Sequence, residues 1–118
     1  MLIKDIGEFE LIKRMSAGLV SSGRAVVAGI GDDSAVLYPP AGRLQLVTTD
    51  ILVENVHFRL STAKPFQIGW KSLAANISDI AAMGGDPTYA FVSIGLPRET
   101  TVEFVDEFIE WGTDQEEV

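Results

Sequence analysis

The sequence predicts an α+β domain. Three observations carry that prediction: stretches with apolar residues at helical three- and four-residue steps, short Val-, Leu- and Ile-rich runs closed by Gly or Pro, and no regular strand-helix-strand alternation in the first half. At 118 residues, 47% hydrophobic and 22% charged, the chain has ordinary globular composition and the length of a single domain with a real core.

The elements follow in order. Phe9, Leu11, Ile12 and Met15 stand at helical spacing within residues 7–15, and Gly18 with Ser21-Ser22-Gly23 ends the pattern, so a short first helix is expected. Residues 24–30, with Val26-Val27 at their centre, read as a strand. A glycine-acid loop over 29–33 follows, then a second short strand over 35–38 stopped by Pro39-Pro40. Residues 44–49 are rich in β-formers and read as a third strand, which residues 51–58 either extend or follow as a further one.

Pro65 opens the longest helix. Ile68, Trp70, Leu73, Ala74, Ile77, Ile80 and Ala81 form its apolar stripe, Ser72, Asn76 and Asp79 its polar face, and Gly84-Gly85 with Asp86-Pro87 its end. Residues 88–96 read as a strand closed by Pro97. Residues 101–111 form a last amphipathic helix with Val102, Val105, Phe108 and Ile109 inward. Strands with incompletely covered faces or edges are natural places for a second copy, so a homodimer through sheet strands is expected.

Composition narrows the function. Without cysteine there is no disulfide, thiolate metal site or thiol nucleophile, which leaves Asp, Glu, Asn and one His for metal or acid-base work and points any metal toward hard Mg2+. A net charge of -8 with nine Lys and Arg does not provide the basic footprint that nucleic acid requires. Eight of the seventeen carboxylates lie at or after Glu99 and read as a solvated face and tail. No apolar run reaches the roughly 18 to 20 residues of a membrane span, and residues 1–10 mix Lys4, Asp5, Glu8 and Glu10 among apolar residues rather than forming a leader; the expectation is no membrane partner and a cytoplasmic location.

The remaining acids sit in suggestive places. Gly29-Ile30-Gly31-Asp32-Asp33 sets two carboxylates behind two glycines that allow tight turning and close ligand approach. It is not a dinucleotide fingerprint, because position 34 is Ser34 and the loop opens a strand rather than a helix. The Lys-containing phosphate loop is also absent, so nucleotide binding would have to run through metal. Mg2+ takes oxygen ligands, commonly one or two carboxylates with phosphate oxygens and water. Candidates are Asp33, Asp50 at the end of Thr48-Thr49-Asp50, and Asp79. Taken singly, each has a plain reading: a turn aspartate, a strand-end cap and a solvated helix face. His57, the one histidine, reads alone as a surface or hydrogen-bonded structural residue.

Together these segments resemble the thiamine-monophosphate kinase family, whose superfamily also holds aminoimidazole ribonucleotide synthetase, selenophosphate synthetase and the hydrogenase-maturation dehydratase. The likeness spans nearly the whole chain: Gly7-Glu8-Phe9-Glu10-Leu11-Ile12, the loop from Gly29 through Asp32-Asp33-Ser34-Ala35-Val36-Leu37, the run from Thr48-Thr49-Asp50 to Val56-His57-Phe58, and Lys71-Ser72-Leu73-Ala74-Ala75-Asn76-Ile77-Ser78-Asp79-Ile80-Ala81-Ala82-Met83-Gly84. The helix motif is shared loosely across the superfamily, whereas the Gly-Asp-Asp loop and the Val-His-Phe segment point to the thiamine enzyme.

The resemblance implies a mixed or antiparallel sheet with helices on one face, the N-terminal domain of the aminoimidazole ribonucleotide synthetase-like fold, with the sheet completing a barrel-like dimer. It implies transfer of the γ-phosphoryl group of ATP to thiamine monophosphate. By the same resemblance, Asp33, Thr48, Thr49, Asp50 and Asp79 are Mg2+ ligands, His57 contacts the thiamine phosphate, and Gly31, Asp32 and Asp33 lie near the ATP phosphates, Asp32 as ligand or as loop hydrogen-bonding residue. No covalent nucleophile is expected, since phosphoryl transfer runs mainly on positioning and charge neutralisation.

In the family the last helix continues into a strand, a Gly-Gly-Asp loop and a second domain. The residues after Trp111 do not resemble that continuation, so residues 1–118 read as a single N-terminal metal- and ATP-binding domain, truncated at the C-terminus and inactive alone. The alternatives are a non-catalytic dimerisation or Mg-nucleotide-binding module, or a sister synthetase or dehydratase.

Overall fold

The segments around Leu2 and Thr101 lie side by side in antiparallel sense. Ile3 N–H donates to Thr100 O at 2.8 Å, Val102 N–H donates to Met1 O at 2.9 Å, and Leu2 and Thr101 form an isolated antiparallel bridge. The computed structural model describes residues 1–17, 19 and 25–112. The expected break at Gly18 and Ser21-Ser22-Gly23, the Arg24 start of the first strand, and residues 113–118 lie outside the described residues.

Helix α1, Ile3–Ala17, begins a turn earlier than the spacing predicts. Leu2 N–H donates to Asp5 Oδ2 at 3.1 Å, a local carboxylate partner for a donor at the helix start. Gly7 interrupts the helix at φ 81°, ψ 174°, a left-handed conformation that glycine alone adopts freely. None of its residues is fully buried, and Phe9, read as part of the apolar stripe, is exposed.

Strands β1, Val26–Ala28, and β2, Val36–Leu37, form an antiparallel pair in which Val26 faces Leu37 and Ala28 faces Val36, with a register irregularity between them. Both fall inside the expected strands, and Tyr38 N–H to Ala25 O at 2.7 Å extends the pairing. The α+β class is thereby seen, as helices with a small antiparallel sheet.

Among the described residues the other expected strands, 44–49 and 88–96, have no ladder partner. Strand propensity measures how well a side chain fits a pleated, half-covered surface, and a strand exists only where a neighbouring edge accepts its N–H and C=O groups. These segments keep apolar side chains in the open: Leu44 is 96% exposed, Val47 81% and Phe91 75%. Residues 54–58 are a turn rather than strand, reversed at Asn55 with φ 64°.

Helix α2, Pro65–Ala82, has the predicted bounds. Pro65 stands at the first helical position, where its missing N–H removes no helical hydrogen bond. Lys64 N–H donates to Gln67 Oε1 at 2.8 Å, the return half of a capping box; lysine has no acceptor with which to make the other half. At the C-terminus Gly84 takes φ 75°, its N–H reaches Ala81 O at 2.9 Å and Gly85 N–H reaches Ile80 O at 3.0 Å, the paired bonds of a Schellman stop.

Helix α3, Val102–Phe108, starts at Thr101, whose Oγ1 accepts from Phe104 N–H at 3.1 Å, and continues as a 3-10 turn over Ile109–Gly112. The core lies between α2 and this pair, with Ile68, Phe108 and Ile109 at its centre and Met15, Phe58, Ile94 and Phe104 packed around it. Val102, Val105, Phe108 and Ile109 are all buried, as their spacing predicts. On α2 the polar face is partly covered: Ser72 Oγ donates back to Ile68 O at 2.9 Å and Asn76 Nδ2 to Ser72 O at 2.8 Å, so both satisfy themselves on their own helix.

Candidate functional site

The loop joining β1 to β2 carries the first pair of acids. Gly31 has φ 122°, a conformation that a side chain would strain, and Asp33 N–H donates to Asp32 Oδ1 at 2.8 Å. The Asp32 carboxylate is thus engaged by its own loop. The Asp33 carboxylate is exposed and forms no ion pair among the described residues.

Thr48 is half-buried, and Thr49 and Asp50 are exposed in the unpaired segment before the turn. Asp79 is exposed on α2, one helical turn from Asn76. Among the described residues no three His, Asp or Glu side chains are gathered into a cluster able to hold a metal ion, so Asp33, Asp50 and Asp79 are not brought together as one such group.

The best-defined local geometry surrounds His57. Asn55, at φ 64°, reverses the chain in the left-handed region that asparagine tolerates better than most residues. Asn55 N–H then donates to Phe58 O at 2.7 Å, Val56 N–H to Val53 O at 3.1 Å and His57 N–H to Val53 O at 2.9 Å. The imidazole closes the same turn from the other side, its Nδ1 accepting from Val53 N–H at 2.9 Å. An imidazole nitrogen that accepts carries no proton, so neutral His57 has its hydrogen on Nε2 and keeps that nitrogen as a donor.

This turn borders a cavity of about 250 Å3 lined by His57, Phe58, Arg59, Thr62, Gln67 and Lys71 among others. Three basic or potentially basic side chains on one cavity stand out in a chain of net charge -8. Lys71 Nζ donates to His57 O at 2.7 Å, tying the turn to α2. Neither Arg59 nor Lys71 was singled out by the sequence reading. The available signal was weak: Lys71 opens the helix motif one turn after Gln67, and an isolated basic residue ordinarily reads as a solvated face.

Residues 31–115 match the family described as AIR synthase related protein, N-terminal domain. The chain belongs to that family. Its relatives include proteins named thiamine-monophosphate kinase. That of Bacillus subtilis is 44% identical over 94 residues, 80% of this chain and 29% of that protein. That of Aquifex aeolicus is 40% identical over 108 residues, 92% and 33% respectively. That of Synechococcus elongatus is 36% identical over 105 residues, 89% and 30%. This AIR synthase related domain therefore spans about a third of the length of the curated relatives it matches. Among the described residues no helix is long and apolar enough to cross a membrane.

Proposed function

We propose that this chain is the N-terminal, metal- and nucleotide-binding part of a thiamine-monophosphate kinase. In the reaction a phosphate oxygen of thiamine monophosphate forms a bond to the γ-phosphorus of ATP, the bond from that phosphorus to the β,γ-bridging oxygen breaks, and ADP leaves with the electron pair. The observation that carries this reading is 36–44% identity, over most of the chain, to proteins of that name. It favours the thiamine enzyme over a sister synthetase or dehydratase.

Donor chemistry supports the magnesium part. Asp33, Thr48, Thr49, Asp50 and Asp79 offer hard oxygens, and the three carboxylates are exposed and free of ion pairs among the described residues. With no three-acid cluster among the described residues, each ion would take one or two protein carboxylates, the usual share where phosphate and water complete the shell. Bound Mg2+ would neutralise charge on the ATP phosphates. Asp33, in the loop with Gly31 and Asp32, and Asp50 after Thr48 and Thr49 would orient it. His57, with Nε2–H free to donate, would hold the phosphate of thiamine monophosphate.

Two further parts belong to this reading. The chain by itself binds ligands without turning them over, and a homodimer pairs the unpartnered segments, which display Leu44, Val47, Ile51 and Phe91 to solvent. A cytoplasmic setting fits a biosynthetic kinase. The test is thermal unfolding with and without Mg-ATP and thiamine monophosphate, for the natural chain and Asp50→Asn. A magnesium-dependent rise in midpoint that Asp50→Asn loses supports the reading; no rise at millimolar ligand, with a cooperative transition, overturns it for this chain.

A further inference from the structure

We propose that Lys71 is a positioning residue: by holding the His57 carbonyl it locks the 53–58 turn and keeps the imidazole oriented with Nδ1 as acceptor and Nε2–H as the donor offered to the adjoining cavity. The assignment of that donor to an anionic ligand rests on the reading above; the lock itself does not.

Three hydrogen bonds converge on the His57 residue from different directions. Its N–H goes to Val53 O, its Nδ1 receives Val53 N–H, and its C=O receives Lys71 Nζ. The first two are internal to a five-residue turn and could open together. The third crosses fourteen residues of sequence to a helix seated on the core through Ile68. Phe58, the next residue, packs partly buried against that same core. His57 is therefore held to the core on one side by the neighbouring Phe58 and to α2 on the other by a charge-assisted hydrogen bond, the stronger sort of hydrogen bond.

The consequence is directional. An exposed imidazole on a free loop samples both tautomers and several rotamers, and an anion must then select one. The bond from Val53 N–H to the imidazole forms only when Nδ1 is unprotonated and turned inward, so whenever that bond is made the neutral ring presents Nε2–H. A short hydrogen bond from α2 raises the population of the closed turn and so of the donor-ready imidazole. Lys71 also has two ammonium hydrogens left beyond the one given to His57 O, which faces a different use: direct contact with the anion. A direct-contact role and a positioning role make different predictions for the ligand-free protein.

His57 is the sole histidine, so its imidazole can be read without assignment ambiguity. The measurement is the 15N spectrum of the imidazole, together with amide exchange at Val53 and His57, in the ligand-free chain at one fixed alkaline pH, for the natural chain, Lys71→Met and Lys71→Arg. The expected result is an Nδ1 resonance shifted as a hydrogen-bonded acceptor in the natural chain. In Lys71→Met that resonance moves toward the unbonded position and both amides exchange about fivefold faster or more, the size expected for loss of one net hydrogen bond. Lys71→Arg restores both, and the thermal midpoint, which falls by a few degrees in Lys71→Met, recovers with them. Unchanged imidazole and exchange in a folded Lys71→Met overturns the proposal, as does failure of arginine to rescue. Titration with inorganic phosphate and with thiamine monophosphate separates the two readings: a lock that responds to lysine while neither anion moves the imidazole signals sustains the positioning role and counts against the kinase reading of His57.

Discussion

Arg14 of α1 grips Asp106 of α3 with two parallel hydrogen bonds, Nε to Oδ1 at 2.9 Å and Nη2 to Oδ2 at 2.7 Å. The hydrogen bond from Arg14 holds the Asp106 carboxyl below its ordinary value; burial opposes it, and the positive charge of Arg14 acts in the same direction as the hydrogen bond. The folded protein thus binds this proton less readily than the unfolded chain. The pair's contribution is fully present above about pH 4, the unperturbed aspartate value, and is lost as pH falls through the depressed folded value. Both side chains are substantially exposed, so water and salt keep the effect small. Asp106→Asn is expected to lower stability slightly at pH 7 and to flatten the acid limb of a denaturation-midpoint series from pH 5 to 2; an acid limb identical to that of the natural chain would show that other carboxylates govern it.

The C-terminal stop of α2 separates backbone strain from crowding in two neighbouring glycines. At Gly84 a new Cβ would meet nothing within 4 Å, but φ is 75°. Gly84→Ala should therefore destabilise by about 1 to 2 kcal/mol through the left-handed backbone alone. At Gly85 the conformation is unstrained, but a Cβ would sit 2.5 Å from Leu46 Cδ1. Leu46 is already partly exposed and can swing its end away, and the contact of 3.1 Å to Ile80 Cγ2 asks for a shift of only a few tenths of an ångström, so Gly85→Ala should cost less. Urea titrations should show both midpoints falling at constant m, Gly84→Ala further; the reverse order would mean Leu46 is held more tightly than its exposure suggests.

Phe108 sits at the centre of the cluster joining α2 to α3 with Ile68 and Ile109. Phe108→Ala should destabilise by roughly 3 to 5 kcal/mol, a large share of the roughly 5 to 15 kcal/mol available to a small domain. The check is loss of a cooperative thermal transition near room temperature. A midpoint close to that of the natural chain would place the main core elsewhere.

The helices were legible because their signals are local. Pro65, Gly84 and the three- and four-residue apolar steps set α2, and Thr101 with Val102, Val105, Phe108 and Ile109 set α3. Gly7, at its positive φ, hid the first turn of α1. Residues 54–58 alternate enough to look like strand, yet Asn55 adopts a left-handed conformation and the His57 imidazole takes the Val53 N–H that a neighbouring strand would otherwise accept. The runs 44–49 and 88–96 have strand composition, but pairing depends on an edge that composition does not encode. Spacing and residue type nominated Asp33, Asp50, Asp79 and His57. They could not nominate Lys71, whose partner is a backbone carbonyl fourteen residues away and so leaves no pattern in side-chain identity.

The proposed site divides into two binding functions that single variants should separate. Asp33→Asn, Asp50→Asn and Asp79→Asn each remove a carboxylate charge that Mg-ATP would need, while leaving the His57 turn intact. His57→Ala removes the proposed phosphate donor and leaves the acids. At ligand about a hundredfold above its dissociation constant, binding stabilises by about 2.7 kcal/mol, a midpoint rise of several degrees for a domain of this size. Each aspartate variant should lose the rise with Mg-ATP, and His57→Ala should lose only the rise with thiamine monophosphate. Paired thermal scans at matched ligand concentrations measure this. Loss of both rises in His57→Ala would mean that the turn supports nucleotide binding as well. Retention of the Mg-ATP rise in all three aspartate variants would remove the carboxylates from the site and leave the basic cavity beside Arg59 and Lys71 as the place where phosphate is held.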